Sequence, residues 1–569
     1  MNRIEDCVRQ LETMEFETLI SMTFGDLLDA QALRFPDHDC VVDPLKGQRM
    51  TYSQFRDECN LVARGLMAIG VTRGSHVAIW ATNYVEWLTL MFATAKIGAV
   101  LVTVNTNYKR FELEYLLRQS DSMTLVLIDG VKDSDYFSHL VEICPELPAS
   151  EPGKLDSTAL PFLKNVIHLG KERKPGAFQW EELYELAKTV PEAQREALQA
   201  SLDMHDVVNM QYTSGTTGFP KGVMLTHHSV INNGKSIGDR KALTENDREC
   251  IPVPLFHCFG CVLGVTSCVT HGSAMILVDH FNPVNVMKTV QMEHCTSLLG
   301  VPTMFISILK HPDFAQYDFS SLRTGIMAGS PCPIEVMKQV NTQMHMPEIV
   351  ISFGQTESSP VTTMTAVDDP LEKRVTTVGR RQPNVEIKIV DPETGEEVPT
   401  GMPGEFLTRG YQVMKGYYKM PEATRLAIDA DGWLHTGDLC SVDEEGYYKV
   451  TGRLKDMIIR GGENIYPREI EEYLYTHEAV SDVQVVGVPD QKYGEEVLAC
   501  VILKKGRQAT EEELIQFVKD GLSRFKSPRY VRFLDAFPMT ASGKIQKFKL
   551  RAMGVELLGL QDAAAVETA

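Results

Sequence analysis

Short aliphatic runs that alternate with helical segments constrain this chain more than any other feature. His76–Trp80, Ala99–Val104 and Thr124–Ile128 are β-branched or aliphatic stretches of strand length, each separated from the next by a helical segment. Ahead of the first, Thr51 and Gln54 form a capping box for a helix whose apolar residues Phe55, Cys59, Val62, Leu66 and Ile69 recur at helical spacing. This is the pattern of a parallel sheet covered by helices, so the fold class is α/β.

At 569 residues and 43% apolar composition the chain can bury more than one core. Between about Val385 and Lys449 the texture changes to short strands punctuated by Pro392, Gly395, Gly401, Pro403, Gly404 and Gly446, which predicts a β-rich subdomain closing the large domain. A boundary follows near Gly452. Beyond it a helix over Pro467–Thr476, strands over Asp482–Val488 and Val497–Leu503, and a helix capped by Thr510 and Glu513 describe a small α+β domain. The expected organisation is therefore a large N-terminal domain over 1–452 and a small C-terminal one over 453–569, with an Ala-rich disordered end after Asp562.

Bulk properties exclude several classes. No stretch approaches the roughly 20 apolar residues that span a bilayer, and the longest candidate, Met91 to Val104, is broken by Lys96 and reads as a buried helix-to-strand segment. The N-terminus carries Glu5, Asp6, Glu12, Glu15 and Glu17 and has neither a secretory nor a transit pattern, so a cytoplasmic protein is expected. Twelve scattered cysteines are expected to be reduced and packed. A net charge of -20 disfavours nucleic acid. The local exception is Arg524–Arg551, with eight basic residues against the single acid Asp535, which suits either a solvated face or an anionic ligand.

The chemistry starts at one loop. The apolar alternating run Val207–Tyr212 delivers the chain into Thr213-Ser214-Gly215-Thr216-Thr217-Gly218-Phe219-Pro220-Lys221-Gly222, where small residues let backbone N–H groups approach phosphate oxygens and hydroxyls and Lys221 add donors. Neither G-x-x-x-x-G-K-[ST] nor G-x-G-x-x-G occurs, which sets aside P-loop NTPases and Rossmann dehydrogenases.

Tyr212 to Gly222 resembles the signature of the AMP-forming adenylating superfamily, which includes acyl-CoA synthetases, peptide-synthetase adenylation domains and firefly luciferase. Further stretches follow in that family's order: Pro254-Leu255-Phe256-His257, Phe353-Gly354-Gln355-Thr356-Glu357, Trp433-Leu434-His435-Thr436-Gly437-Asp438, Gly452-Arg453-Leu454-Lys455-Asp456 and Ser542-Gly543-Lys544. Met457–Pro467 and Ser542–Phe548 look most like medium-chain acyl-CoA ligases.

The resemblance implies ATP-dependent activation of a carboxylic acid as its acyl-adenylate, then transfer to coenzyme A. It implies a Mg²⁺ ligand at Glu357 and an α-phosphate contact at Thr356, with hard oxygen donors suiting that ion. Lys544 becomes the lysine bridging carboxylate and α-phosphate, and Lys455 the hinge of a mobile small domain. The implied nucleotide set is Thr213 to Lys221, Gly329, Ser330, Pro331, Phe353, Gly354, Gln355, Thr356, Asp438, Arg453 and Lys544, with Asp438 and Arg453 clamping the ribose. Phe353 stands where the family often carries tyrosine, so a ring face for adenine is kept and a hydroxyl lost. For coenzyme A, Gly461 and Gly462 leave room for the pantetheine arm, and Lys526 of the basic cluster is the phosphate candidate.

The implied acyl pocket comprises His257, also a catalytic candidate, with Cys258, Phe259, Val301, Pro302, Ala328 and Gly329. Pro254–Gly260 offers no carboxylate for a substrate ammonium, which disfavours amino-acid activation. Cys258-Phe259-Gly260-Cys261 has no second C-x-x-C pair and is not read as a metal site. A carrier-loading acyl-AMP ligase, a luciferase-like oxygenase and a non-catalytic acyl or nucleotide sensor stay as alternatives. The chain ends in Val566-Glu567-Thr568-Ala569 rather than Ser-Lys-Leu. Medium-chain fatty acid leads over long-chain, dicarboxylic, alicyclic and aromatic acids, and a homodimer is a candidate assembly.

Overall fold

The computed structural model describes residues 3–132, 134–213, 220–329, 332–460, 463–490, 493–522, 524–540 and 545–561. The chain forms two compact units, Met1–Ile387 with Thr408–Leu434, and Lys388–Leu407 with His435–Ala569. The expected division at Gly452 thus falls inside the second unit. The Ala-rich end after Asp562 lies outside the described residues.

The first unit contains two large sheets. One has eight strands, in the order Gly416–Tyr417, Lys221–Thr226, Val207–Thr213, Val100–Thr103, His76–Trp80, Thr124–Leu127, Asn165–His168 and Phe178–Gln179. From Val207–Thr213 to Phe178–Gln179 neighbouring strands run parallel, and the first two join antiparallel. The three strands read from the sequence are its centre, and their burial, complete except at the half-buried His76, fits strands covered on both faces. The second sheet has nine strands with a parallel centre, among them Arg248–Ile251, Ser297–Gly300, Thr324–Met327 and Glu348–Gly354.

Local signals hold where they are local. Thr51 caps the helix Tyr52–Ala68 with the capping box closed by Gln54, as its spacing predicts. The Met91–Val104 segment is the end of the helix Val85–Lys96 followed by the strand Val100–Thr103, and the break in its apolar run, Lys96, is fully buried against Asp29. Among the described residues no helix is long and apolar enough to cross a membrane. All twelve cysteines are free thiols, buried except for the half-buried Cys332.

In the second unit a long antiparallel pair, Val480–Asp490 with Gly494–Leu503, carries the core. Its two faces pack separately, as a period of two requires. Val483, Val485, Val497, Ala499 and Val501 join Ile470, Leu474, Leu514 and Val518 from the helices Pro467–Tyr475 and Glu511–Gly521. Val486, Val488, Leu498 and Cys500 join Phe537 and Leu550 on the other side. Thr510 with Glu513 caps the second of those helices as predicted.

Candidate active site

The glycine-rich loop is flanked at both ends by contacts from one helix, Arg110–Gln119. Tyr212, on the strand entering the loop, donates its hydroxyl to Gln119 Oε1. Pro220, just before Lys221, accepts at its carbonyl from Tyr115 OH at 3.0 Å. Gln119 Nε2 also donates to the Tyr418 carbonyl at 2.7 Å. Ser214, Gly215, Thr216, Thr217, Gly218 and Phe219 lie outside the described residues. Both ends nevertheless meet in register, with Thr213 opposite Lys221 in the antiparallel pair Val207–Thr213 and Lys221–Thr226.

Glu357 stands beside that loop. It follows the strand Glu348–Gly354 in a tight turn, Thr356–Ser358, closed by Ser358 N–H donating to the Gln355 carbonyl at 2.8 Å. Gly354 is obligatory here, because at φ 157° a side chain would stand 1.9 Å from the Pro360 carbonyl. Glu357 is 9% exposed, and its Oε1 accepts from Thr213 Oγ1 at 3.3 Å and from Tyr417 OH at 2.9 Å. Burial and the neighbouring carboxylate both push the Tyr417 phenol up, so it stays a donor. Lys221 Nζ sits 4.5 Å from the centre of the Tyr417 ring. The donor set fits a hard divalent cation: a buried carboxylate held at one oxygen by neutral hydroxyls, with no salt bridge to it among the described residues.

Thr356, 7% exposed, brings its Oγ1 within 3.8 Å of Cys258 Sγ, so the turn carrying Glu357 meets the loop carrying His257. His257 Nδ1 accepts from the Phe259 amide at 3.2 Å, which puts the proton of the neutral ring on Nε2. That loop is suspended from Asn83. Asn83 Oδ1 accepts from Leu255 N–H at 2.9 Å, and its Nδ2 lies within hydrogen-bond distance of the carbonyls of Ile251, Val253 and Val278. The chain continues as a buried π-helical segment over Phe259–Thr266. Cys261 there accepts from Gln211 Nε2, and burial pushes its thiol up, which is the environment of a packing cysteine. Among the described residues no group of histidine, cysteine and carboxylate side chains could hold a metal ion as a cluster.

Of the other acyl-pocket candidates, Val301, Pro302 and Ala328 are buried, and Gly329 lies so close to Val301 that a side chain would stand 3.2 Å from its Cγ1. Ser330 and Pro331 lie outside the described residues. Phe353 and Gly354 end the strand leading to Glu357, with Phe353 paired to Thr363 of the next strand and Gln355 at the start of the turn.

In the second unit Asp438 and Arg453 are directly opposite in an antiparallel pair, Leu434–Val442 with Tyr448–Arg453, and Arg453 Nε reaches Asp438 Oδ1 at 2.9 Å. Asp438 is 4% exposed. Its turn is fixed from behind. Thr436 Oγ1 donates to the Phe406 carbonyl and accepts from the Asp438 amide at 3.1 Å, while Gly437 N–H donates to Glu405 Oε1 at 3.3 Å. Lys455 follows in the short turn Leu454–Asp456, where burial first and Arg453 next hold its ammonium below the usual lysine range.

The basic cluster is largely answered from within the same unit. Lys526 pairs with both oxygens of Glu469 at 2.6 and 2.7 Å. Arg529 faces Asp490 and Glu496, Arg532 faces Glu511, Lys547 faces Glu471 and Arg551 faces Glu495. A coenzyme A phosphate at Lys526 would have to compete with Glu469. Gly461, Gly462 and Lys544 lie outside the described residues. Sequence reasoning missed Asn83, Tyr115, Gln119 and Tyr417. Only Tyr417 had a visible setting, in the run Met414-Lys415-Gly416-Tyr417-Tyr418.

The chain is similar to known proteins along most of its length. Residues 28–418 match the family model of AMP-binding enzymes and residues 469–544 that of the AMP-binding enzyme C-terminal domain. YngI of Bacillus subtilis (strain 168), a candidate acyl-CoA synthetase, is 57% identical over 545 residues, covering 96% of this chain and 99% of its own. The mitochondrial medium-chain acyl-CoA ligase ACSF2 of Rattus norvegicus is 42% identical over 539 residues, covering 94% of this chain and 88% of its own. The crystal structure of ATP-bound MatB from Rhodopseudomonas palustris superposes with a TM-score of 0.80 at 28% identity, over 94% of this chain and 100% of that one. With family-model matches over residues 28–418 and 469–544 and a 57% identical relative covered along almost all of its length, the chain belongs to the AMP-binding enzyme family.

Proposed function

We propose that this enzyme joins a medium-chain fatty acid to coenzyme A in two steps: the carboxylate displaces pyrophosphate from ATP to give acyl-AMP, and the thiol of coenzyme A then displaces AMP. The chain is an AMP-forming acid–thiol ligase by its near full-length likeness to acyl-CoA synthetases. The observation that carries the two-step reading is the meeting of Thr213, Lys221, Glu357 and Tyr417 at the ends of the phosphate loop.

Each residue then has a task. The substrate carboxylate is ionised at neutral pH and needs no base, so stabilisation belongs on the phosphorus. A magnesium ion bound at Glu357 would neutralise charge on the phosphates. Lys221 and the backbone of 214–219 bind the phosphates, Thr356 the α-phosphate, Phe353 the adenine face, and Asp438 with Arg453 the ribose. Lys544 contributes the cation of the first step, and the turn at Lys455 is the hinge of the small domain. For the second step Gly461 and Gly462 admit the pantetheine arm, and Lys526 is the phosphate contact. Support for a fatty acid comes from the apolar set Cys258, Phe259, Val301, Pro302 and Ala328, and from the name of the rat relative. The setting is cytoplasmic and the assembly a homodimer in this reading.

The test is pyrophosphate release with ATP, Mg²⁺ and acids from acetate to palmitate plus benzoate, with and without coenzyme A. Release peaking at medium chain, with thioester only when coenzyme A is present, is expected. Lys544→Ala should lower adenylation by about 10²–10³ while sparing thioester formation from supplied acyl-adenylate. Equal loss of both halves would refute the two-conformation account.

A further inference from the structure

We infer that Tyr417 is a positioning residue that fixes the Glu357 carboxylate with its hydroxyl and the Lys221 ammonium with its ring. The inference rests on the reading of Glu357 and Lys221 as ATP-site residues.

Its backbone already joins the two motifs. The strand Gly416–Tyr417 adds antiparallel to Lys221–Thr226, with Tyr417 opposite Val223. On one side Lys415 N–H donates to the Met224 carbonyl at 2.9 Å and Tyr418 N–H to the Gly222 carbonyl at 2.8 Å. On the other Met414 N–H donates to the Glu357 carbonyl at 2.9 Å. The segment 414–418 therefore sets the distance between the end of the phosphate loop and the turn of Glu357, with Tyr417 between them.

The side chain uses both of its chemical faces. A phenol packed for volume alone needs one partner for its hydroxyl, and any nearby carbonyl would serve. Tyr417 instead bonds Glu357 Oε1, the oxygen that Thr213 also bonds, so both donors act on one oxygen and fix the rotamer of the carboxylate. Oε2 takes no hydrogen bond from a described residue and is the oxygen left to a ligand. The π face lies 4.5 Å from Lys221 Nζ, which orients the cation without neutralising it as a carboxylate would. Groups that orient a metal-binding carboxylate typically matter 10–100-fold in affinity.

The two faces can be separated by mutation. Tyr417→Phe keeps the ring and volume and removes only the hydroxyl, whereas Tyr417→Leu removes both. The probe is Mn²⁺ with α,β-methylene ATP on the full chain, followed by electron paramagnetic resonance, with metal-free nucleotide affinity and Tm measured alongside. Tyr417→Phe should weaken Mn²⁺ about tenfold while leaving metal-free nucleotide affinity within about twofold and Tm near wild type. Tyr417→Leu should weaken both ligands, the nucleotide by about fivefold. Wild-type Mn²⁺ affinity in Tyr417→Phe, with Glu357→Gln impaired, overturns the inference alone, as does a parallel fall of both affinities and Tm. Wild-type Mn²⁺ affinity in Glu357→Gln overturns the reading of the site, and the inference with it.

Discussion

The candidate-site carboxylates of the two units are held in different ways. In the first unit Glu357 is held by hydroxyls rather than by a cation, and the same unit also sinks Lys241 with Glu249, neither side chain exposed, and a fully buried His227. In the second, Asp438 is met by a partly exposed basic partner, Arg453, as Glu469 is by Lys526 and Glu511 by Arg532. In the proposed reading this difference fits the two tasks: Glu357, held only by neutral donors, keeps its charge for a metal ion, whereas Asp438 is already compensated by Arg453.

The largest effect should come from breaking the deepest pair. Lys241→Met leaves Glu249 buried without its cation, where burial already raises its carboxyl pKa, and should cost about 3–5 kcal/mol in urea unfolding. Next, Glu357→Gln should lower pyrophosphate release by about 10²–10³ with little change in Tm, since a neutral amide still accepts from Thr213 and Tyr417. If stability fell and activity did not, the contrast between the two carboxylates would fail.

Acid sharpens the same contrast. Burial pulls the His227 pKa from 6.5 to about 4, with Asp206 opposing, so the folded state refuses a proton that the unfolded chain accepts. The contribution is complete above pH 6.5 and is lost as pH falls toward 4, amounting to roughly 3 kcal/mol. His227→Gln should flatten the Tm profile between pH 6.5 and 4.5, and an unchanged slope would reject this assignment. Smaller still, Asp438→Asn should raise KM for ATP about tenfold with kcat less affected, because the loss falls on binding. At the bottom, Lys526→Ala should shift stability by less than about 1 kcal/mol, a difference that 0.5 M salt erases.

What could be read in advance follows the range of the interaction. Capping boxes at Thr51 and Thr510 act over three residues and leave a local pattern, and the strands at His76 and Thr124 declare themselves by composition. Asp438 and Arg453 were legible only through resemblance, since their pairing depends on the register of a hairpin, including a shift between Leu439 and Cys440. Asn83 was not legible at all: its partners at Leu255 and Val278 are more than 170 residues away in one case and nearly 200 in another. An asparagine before a helix reads as an ordinary turn residue until the fold brings the ends of two strands to it. Tyr417 was hidden for the same reason, its hydroxyl bonding a residue 60 positions earlier. The basic cluster shows the converse, since charge density in sequence is blind to the acids that fold against it.

The anchoring of the phosphate loop at Tyr212 and Pro220 has a consequence for engineering. Gln119 and Tyr115 hold Tyr212 and Pro220, so the two points at which the glycine-rich stretch joins the sheet are set by the scaffold. Segments of equal length from other members of the family should transplant between those points without refitting the sheet. Conversely, a substitution at Gln119, which holds Tyr212, should lower ATP affinity whichever segment lies between those points.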